Sequence, residues 1–219
     1  MRPVIALDVD GTLVDYHAHF TEFAVQYFDL DMEHFAFEKY DARMPFYKFL
    51  GISKEKYRQC KMAYRRGELK RSVPLLPQPY PDAPTLTKQL RLWGVDIWLC
   101  TTRPYLAYDA IDSATRHNLK RHGISYQGII WGERKYHELV RTVGRERIVG
   151  VLDDLPAMCD QAVRLRMRTA LAVRPHNEMQ MLGYQGPGTF PGNLPWEAAR
   201  THDDTLALFR RWLTDWRGK

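Results

Sequence analysis

Cysteine is scarce: Cys60, Cys100 and Cys159 are widely spaced and never form a Cys-x-x-Cys pair. An odd, scattered set argues against a disulfide framework and against a cysteine-built zinc site, and it fits a reducing cytoplasm. Long apolar runs are lacking too. No stretch approaches the ~18 residues of a membrane-spanning helix, and two acids at positions 8 and 10 interrupt the chain before a signal-like run can develop. The expectation is a cytoplasmic protein without membrane contact. Internal repeats, low-complexity tracts and a Gly-x-x-x-x-Gly-Lys-Ser/Thr phosphate loop are absent, which argues against a repeat architecture and against a nucleotide-binding module built on such a loop. Neither sign of charge dominates, since 32 Lys and Arg stand against 26 Asp and Glu for a net +6. That excess suits an anionic ligand but is also an ordinary solubility charge.

What the chain does have is length and one decisive stretch. Its 219 residues suffice for a full core plus an inserted subdomain. The run Val4-Ile5-Ala6-Leu7 reads as a buried strand that delivers Asp8-Val9-Asp10-Gly11-Thr12 at its C-terminal end. Alternation along a strand places Asp8 and Asp10 on one face, so one carboxylate can attack while the other handles a proton. By itself Asp-x-Asp-Gly could be a tight turn whose side chains bond their own backbone, so the weight falls on its partners.

Residues 15–72 read as a small aromatic helical insert, with Phe20, Phe23, Ala24, Tyr27 and Phe28 on one helix face and Tyr57, Cys60 and Tyr64 on another. Pro74, Pro77, Pro79, Pro81 and Pro84 stiffen the return to the core, which is expected to comprise 1–14 and 73–219. After a helix over Leu86, Leu90 and Trp93, a second strand, 95–100, runs into Thr101-Thr102-Arg103. A long helix from about Tyr105 to His122 and a third strand, 126–131, lead to Lys135. A fourth strand, 147–152, ends in Asp153-Asp154, and a fifth, 169–173, ends at Arg174-Pro175. Residues 176–196 read as a surface loop packed by Phe190 and Trp196, without a legible role. Leu206, Phe209, Leu213 and Trp216 mark a final amphipathic helix. This alternation predicts an α/β, doubly wound, Rossmann-like parallel sheet with an inserted helical cap after the first strand.

Four strand ends then carry an Asp-x-Asp, a Thr pair, a Lys and an Asp pair, and a parallel sheet gathers such ends in one crevice. Phosphoryl transfer needs a nucleophile, neutralisation of phosphate oxygens, a divalent cation on hard oxygen ligands and an acid for the leaving group. Each requirement has a candidate here. His17-x-His19, at the start of the insert, is expected to be exposed or pocket-lining rather than a metal site.

These motifs, Asp8-Val9-Asp10-Gly11-Thr12, Thr101, Lys135 and Asp153-Asp154, resemble the four motifs of the haloacid-dehalogenase-like (HAD) phosphatases, over residues 3 to about 175. The resemblance implies attack by Asp8 on phosphorus, an aspartyl-phosphate intermediate, and proton donation by Asp10, which then activates water. It implies Mg2+ held by Asp8, the Asp10 carbonyl, Asp153 and Asp154. Lys135 would offset the charge of nucleophile and phosphate, and Thr101 would hydrogen-bond the phosphate.

Within the superfamily the layout is similar to the 5′(3′)-deoxyribonucleotidases, in the run Asp8 to Tyr16, in Cys100-Thr101-Thr102 followed shortly by proline, and in Ile129-Ile130 leading to Lys135. That implies a nucleoside monophosphate, with Tyr16 against the base and Thr102 on the phosphate. Leu155 departs from the basic residue those enzymes usually carry after the Asp pair. The 3′-phosphatase half of polynucleotide kinase-phosphatases is also similar, since Arg103 and a long helix follow the second motif. In that alternative Arg116, Lys120 and Arg121 could guide a nucleic-acid end. A catalytically inactive nucleotide-binding or nucleic-acid-binding module is the alternative of another class, although none of the motifs is eroded.

Overall fold

The computed structural model describes residues 1–31, 46–65, 77–102, 110–178 and 195–218. Six parallel strands form one sheet in the order β3-β2-β1-β4-β5-β6. They are β1 (Val4–Leu7), β2 (Asp96–Thr101), β3 (Gly128–Trp131), β4 (Ile148–Asp153), β5 (Thr169–Ala172) and β6 (Glu197–Ala199). The first strand is central, flanked by β2 with Leu7 opposite Leu99 and by β4 with Leu7 opposite Leu152. The order reverses at this strand, which is where parallel sheets open a crevice beyond their carboxyl ends.

Helices cover both faces, which is why β1 is apolar throughout rather than alternating. On one face Ile5, Leu7, Ile97 and Leu99 pack with Leu86 and Leu90 of a helix over Ala83–Leu92 and with Phe209 and Trp212 of the C-terminal helix His202–Arg217. On the other, Val4, Ala6, Cys100 and Val151 pack with Tyr136 and Leu139 of the helix Lys135–Val143 and with Ala162 of the helix Pro156–Arg164. The two-residue period therefore carries Asp8, two beyond Ala6, and Asp153, two beyond Val151, to the face that Lys135 opens.

Between β1 and β2 in the chain lie α1 (Tyr16–Phe28), a helical turn at Phe46–Phe49 and α2 (Lys54–Arg65). They enclose a separate cluster of Phe20, Phe23, Ala24, Val25, Leu50, Cys60 and Ala63, with Tyr27, Phe28, Tyr57 and Tyr64 against it. Both expected aromatic stripes thus pack inward. Asp15 caps α1, its side chain accepting from the Ala18 N–H at 3.2 Å.

Three local expectations change. The three-residue edge strand β6 was not anticipated. His19 is buried, its Nδ1 2.8 Å from the Tyr64 hydroxyl, so it serves the packing of the insert rather than an exposed or pocket-lining surface. Residues 175–178 form a helical turn at the end of the sheet instead of beginning a surface loop. Arg103, the start of the helix expected from Tyr105, Pro74 of the proline connector and Phe190 lie outside the described residues. Trp196 is buried against Cys159, Leu171 and Val173 as expected. No helix among the described residues is long and apolar enough to cross a membrane.

Candidate active site

The chain leaves β1 through a turn in which the Leu13 and Val14 N–H groups both donate to the Val9 carbonyl. Gly11 takes φ +84°, and a Cβ there would lie 2.0 Å from Asp154 Oδ2. Only glycine both tolerates that conformation and leaves the carboxylate room. Asp8, whose N–H still donates to the Leu152 carbonyl at 2.9 Å, is buried at the base of the turn.

Lys135 begins its helix beneath this point and is completely buried. Its Nζ stands 2.5 Å from Asp8 Oδ1 and 2.6 Å from Asp153 Oδ2. Burial opposes the ammonium, but Asp153 and Asp8 outweigh that and hold its pKa above the ordinary value, so it stays charged. Asp153 also accepts from the Tyr136 hydroxyl on Oδ2 and from the Leu155 N–H, at 2.9 Å, on Oδ1. The Asp8 pKa is raised as well, which for a carboxyl disfavours the charged form. Burial pushes its pKa well up, Lys135 pulls it down, and Asp153 and Asp154 add to the rise.

Asp154 is buried next to this trio, its pKa raised by burial and then by Asp153. Its Oδ2 lies 2.6 Å from His176 Nε2, its carbonyl accepts from Asn177 Nδ2 at 2.6 Å, and its Oδ1 is buried with no hydrogen-bond partner. His17 stacks on His176 with ring centroids 3.7 Å apart and the planes 20° from parallel. Burial followed by the neighbouring His176 lowers the His17 pKa to about 3, and burial followed by Arg174 lowers that of His176 to about 4. Both imidazoles are therefore neutral near neutral pH. Asp10 is half-buried at the turn, close enough for its charge to act on both His17 and Asp154.

One oxygen from each of Asp8, Asp153 and Asp154 falls within 4.8 Å of the other two. Ionised, the three carboxylates against one ammonium leave two uncompensated negative charges in a buried space, and Asp154 Oδ1 has nothing to bond. A divalent cation with a preference for hard oxygen ligands fits both the charge and the donors, and Mg2+ is such an ion.

No protein-family model matches the sequence, and no curated protein matches it. Solved structures do match. A HAD hydrolase of family IA, variant 3, from Entamoeba histolytica superposes with a TM-score of 0.54 at 15% identity, covering 96% of this chain and 100% of its own. The fold is that of the HAD hydrolases. D,D-heptose 1,7-bisphosphate phosphatase from B. bronchiseptica, complexed with magnesium and phosphate, gives 0.54 at 11% identity over 97% of this chain and 99% of its own. CbbY from Rhodobacter sphaeroides, in complex with xylulose 1,5-bisphosphate, gives 0.51 at 16% identity over 92% and 95%.

On this HAD fold the structure brings together Asp8, Lys135, Asp153 and Asp154. Thr101 is buried at the end of β2, while Thr102 next to it is exposed. Tyr16 is half-buried at the start of α1, its ring parallel to Phe20 at 5.9 Å and edge-on to Tyr64 at 5.7 Å. Sequence reasoning missed Tyr136, Arg174, His176 and Asn177. The position of Arg174-Pro-His-Asn, directly after a strand at the carboxyl edge of the sheet, was the signal available for three of them.

Proposed function

We propose that the protein is a magnesium-dependent phosphomonoesterase working through an aspartyl-phosphate on Asp8, with a nucleoside monophosphate as its substrate. The observation that carries this reading is the buried Lys135 bridging Asp8 and Asp153, with Asp154 beside them at the ends of adjacent strands. Asp8 attacks phosphorus, the bond from phosphorus to the ester oxygen breaks, and the departing oxygen takes a proton from the Asp10 carboxyl. Water then attacks the phosphoryl group on Asp8 while the Asp10 carboxylate removes its proton, which releases phosphate and restores both acids.

Lys135 pulls the Asp8 pKa down against the effect of burial and lowers the repulsion between nucleophile and phosphate at a place where water does not screen charge. Asp8, the Asp10 carbonyl, Asp153 and Asp154 hold Mg2+, which when bound supplies positive charge to the transferring phosphoryl oxygens. Thr101, Thr102 and Arg103 serve the phosphate.

Residues 15–72 act as a cap over a core of 1–14 and 73–219. Tyr16, at the cap's first turn, offers an aromatic surface for a base within a few residues of the catalytic acids. Arg116, a candidate guide for a nucleic-acid end, is instead ion-paired with Asp112 at 2.7 Å, which favours the small substrate. All three cysteines are free and buried, in keeping with a cytoplasmic setting.

The test is a panel of ribo- and deoxyribonucleoside 5′- and 3′-monophosphates beside an oligonucleotide 3′-phosphate, each with magnesium and with EDTA. Turnover of a mononucleotide should require magnesium, vanish in Asp8→Asn and weaken in Tyr16→Ala. A preference for the oligonucleotide by orders of magnitude overturns the substrate. Absence of turnover on every phosphomonoester overturns the enzyme and leaves a binding module.

A further inference from the structure

The short segment after β5 reaches the candidate active site with three polar side chains. Arg174 donates from Nε to the Gly11 carbonyl at 3.3 Å and from a terminal nitrogen to the Thr12 carbonyl at 3.0 Å, while its guanidinium lies 3.9 Å from the centre of the Tyr80 ring. His176 meets the Asp154 carboxylate. Asn177 is fully buried, donates to the carbonyls of Asp154 and Ala172 at 2.6 and 3.0 Å, and accepts from the Arg174 N–H at 2.8 Å. One turn of chain thus grips the turn after β1 and both the backbone and the side chain of Asp154.

We propose that this segment is the positioning element for Asp154: His176 fixes the orientation of its carboxylate, and His17, contributed by the helical insert, closes over His176. The proposal rests on the reading of Asp154 as a magnesium ligand. As a metal ligand Asp154 is an ionised carboxylate, which only accepts hydrogen bonds, so Nε2 of His176 carries the proton, and its buried, unpartnered Nδ1 is the bare nitrogen of a neutral ring. Asp154 Oδ2 is then held between that N–H and Gly11, where a Cβ would approach it to 2.0 Å. This leaves Oδ1 as the oxygen for the cation. A partner that orients a ligating carboxylate in this way is part of what sets metal affinity.

The same residues do not make a separate His-Asp-His metal centre. The 2.6 Å between His176 Nε2 and Asp154 Oδ2 is a hydrogen-bond length, shorter than the ~3.3 Å that separates two ligands at about 2.0–2.1 Å from one tetrahedral ion. The nearly parallel rings also cannot both aim their in-plane lone pairs at one ion. His17 Nε2, 3.9 Å from the same oxygen, bonds neither to it nor to a shared proton and contributes by covering His176.

The test measures Mn2+ binding by the paramagnetic resonance signal of free Mn2+, for the full chain and for His176→Phe, His176→Gln and His17→Phe, with thermal unfolding recorded alongside. His176→Phe keeps a ring without the donor and should weaken Mn2+ about 10- to 100-fold. His176→Gln restores an N–H at the same reach and should recover most of that loss, and His17→Phe, which keeps the stack, should bind as the parent does. If the parent binds no Mn2+, the metal reading beneath the proposal fails with it. If the parent binds and His176→Phe binds equally well, or His176→Gln is as weak as His176→Phe, only the positioning role is overturned. A Co2+ equivalent lost from His17→Phe and His176→Phe with Mn2+ binding untouched would overturn it in favour of an imidazole metal site.

Discussion

Replacing Lys135 by methionine keeps an unbranched apolar stem in the core and deletes the ammonium that bridges Asp8 and Asp153 at 2.5 and 2.6 Å. Both carboxylates are buried, so water cannot take the ammonium's place. The metal-free variant has one escape, which is to protonate one more carboxyl. From an ordinary carboxylate pKa near 4, at 1.36 kcal/mol per unit, that costs about 4 kcal/mol at pH 7 and about 1.5 kcal/mol at pH 5. The pH 7 figure falls in the range of about 3–5 kcal/mol usual for breaking a buried ion pair. At about 2–4 °C per kcal/mol for a chain of this size, the unfolding midpoint should drop by about 8–16 °C at pH 7 and by less than half of that at pH 5. The assay is thermal unfolding of parent and variant in EDTA at both pH values. An unchanged midpoint at pH 7, or a deficit that does not shrink on acidification, would refute the view that Lys135 acts as the counter-ion of this cluster.

Two more outcomes follow from the same cluster. Asp8 and Asp154 have folded pKa values raised mainly by burial, so their contribution to metal-free stability is complete below their unfolded pKa of about 4 and is lost as pH rises through the raised values. Magnesium binds the ionised forms, so the rise in unfolding midpoint it produces should be larger at pH 8 than at pH 5, and the opposite order would contradict the assignment. Gly11→Ala sets a Cβ 2.0 Å from Asp154 Oδ2 at φ +84°, and it should abolish Mn2+ binding and cost about 1–3 kcal/mol from the backbone alone. Unaltered Mn2+ affinity in a folded Gly11→Ala would refute the close approach.

The strands that reached the sequence reading intact are those whose neighbours on both faces are apolar. Val4–Leu7 and Ile148–Asp153 are buried at every position, and a continuous apolar run bounded by acids has few alternatives to a central parallel strand. Glu197–Ala199 has no such signature. Two of its three residues are exposed and two are alanine, so its pairing with Ala170–Ala172 comes from the strand beside it rather than from its own side chains. Edges of sheets are generally written in their partners.

The candidate site divides along the same line. Asp8, Lys135, Asp153 and Asp154 were legible because each follows a strong strand signal, and a parallel sheet collects strand ends whatever the intervening loops contain. Tyr136 was hidden within a helix stripe, where a tyrosine reads as apolar, and its hydroxyl contact with Asp153 depends on the helix beginning one residue earlier. His176 and Asn177 were hidden by composition, because the Gly- and Pro-rich stretch that follows them marked the whole of 176–196 as surface. Their partner Asp154 is 22 and 23 residues away, a separation no periodicity records. Arg174-Pro-His-Asn follows the fifth strand directly and so stands at the same sheet edge as the other motifs. The general consequence is that the acids which hold a cation can be read from their own strands, whereas the donors that aim those acids sit on whichever neighbouring strand end comes within reach, and their assignment needs the strand order β1-β4-β5 before their residue types become informative.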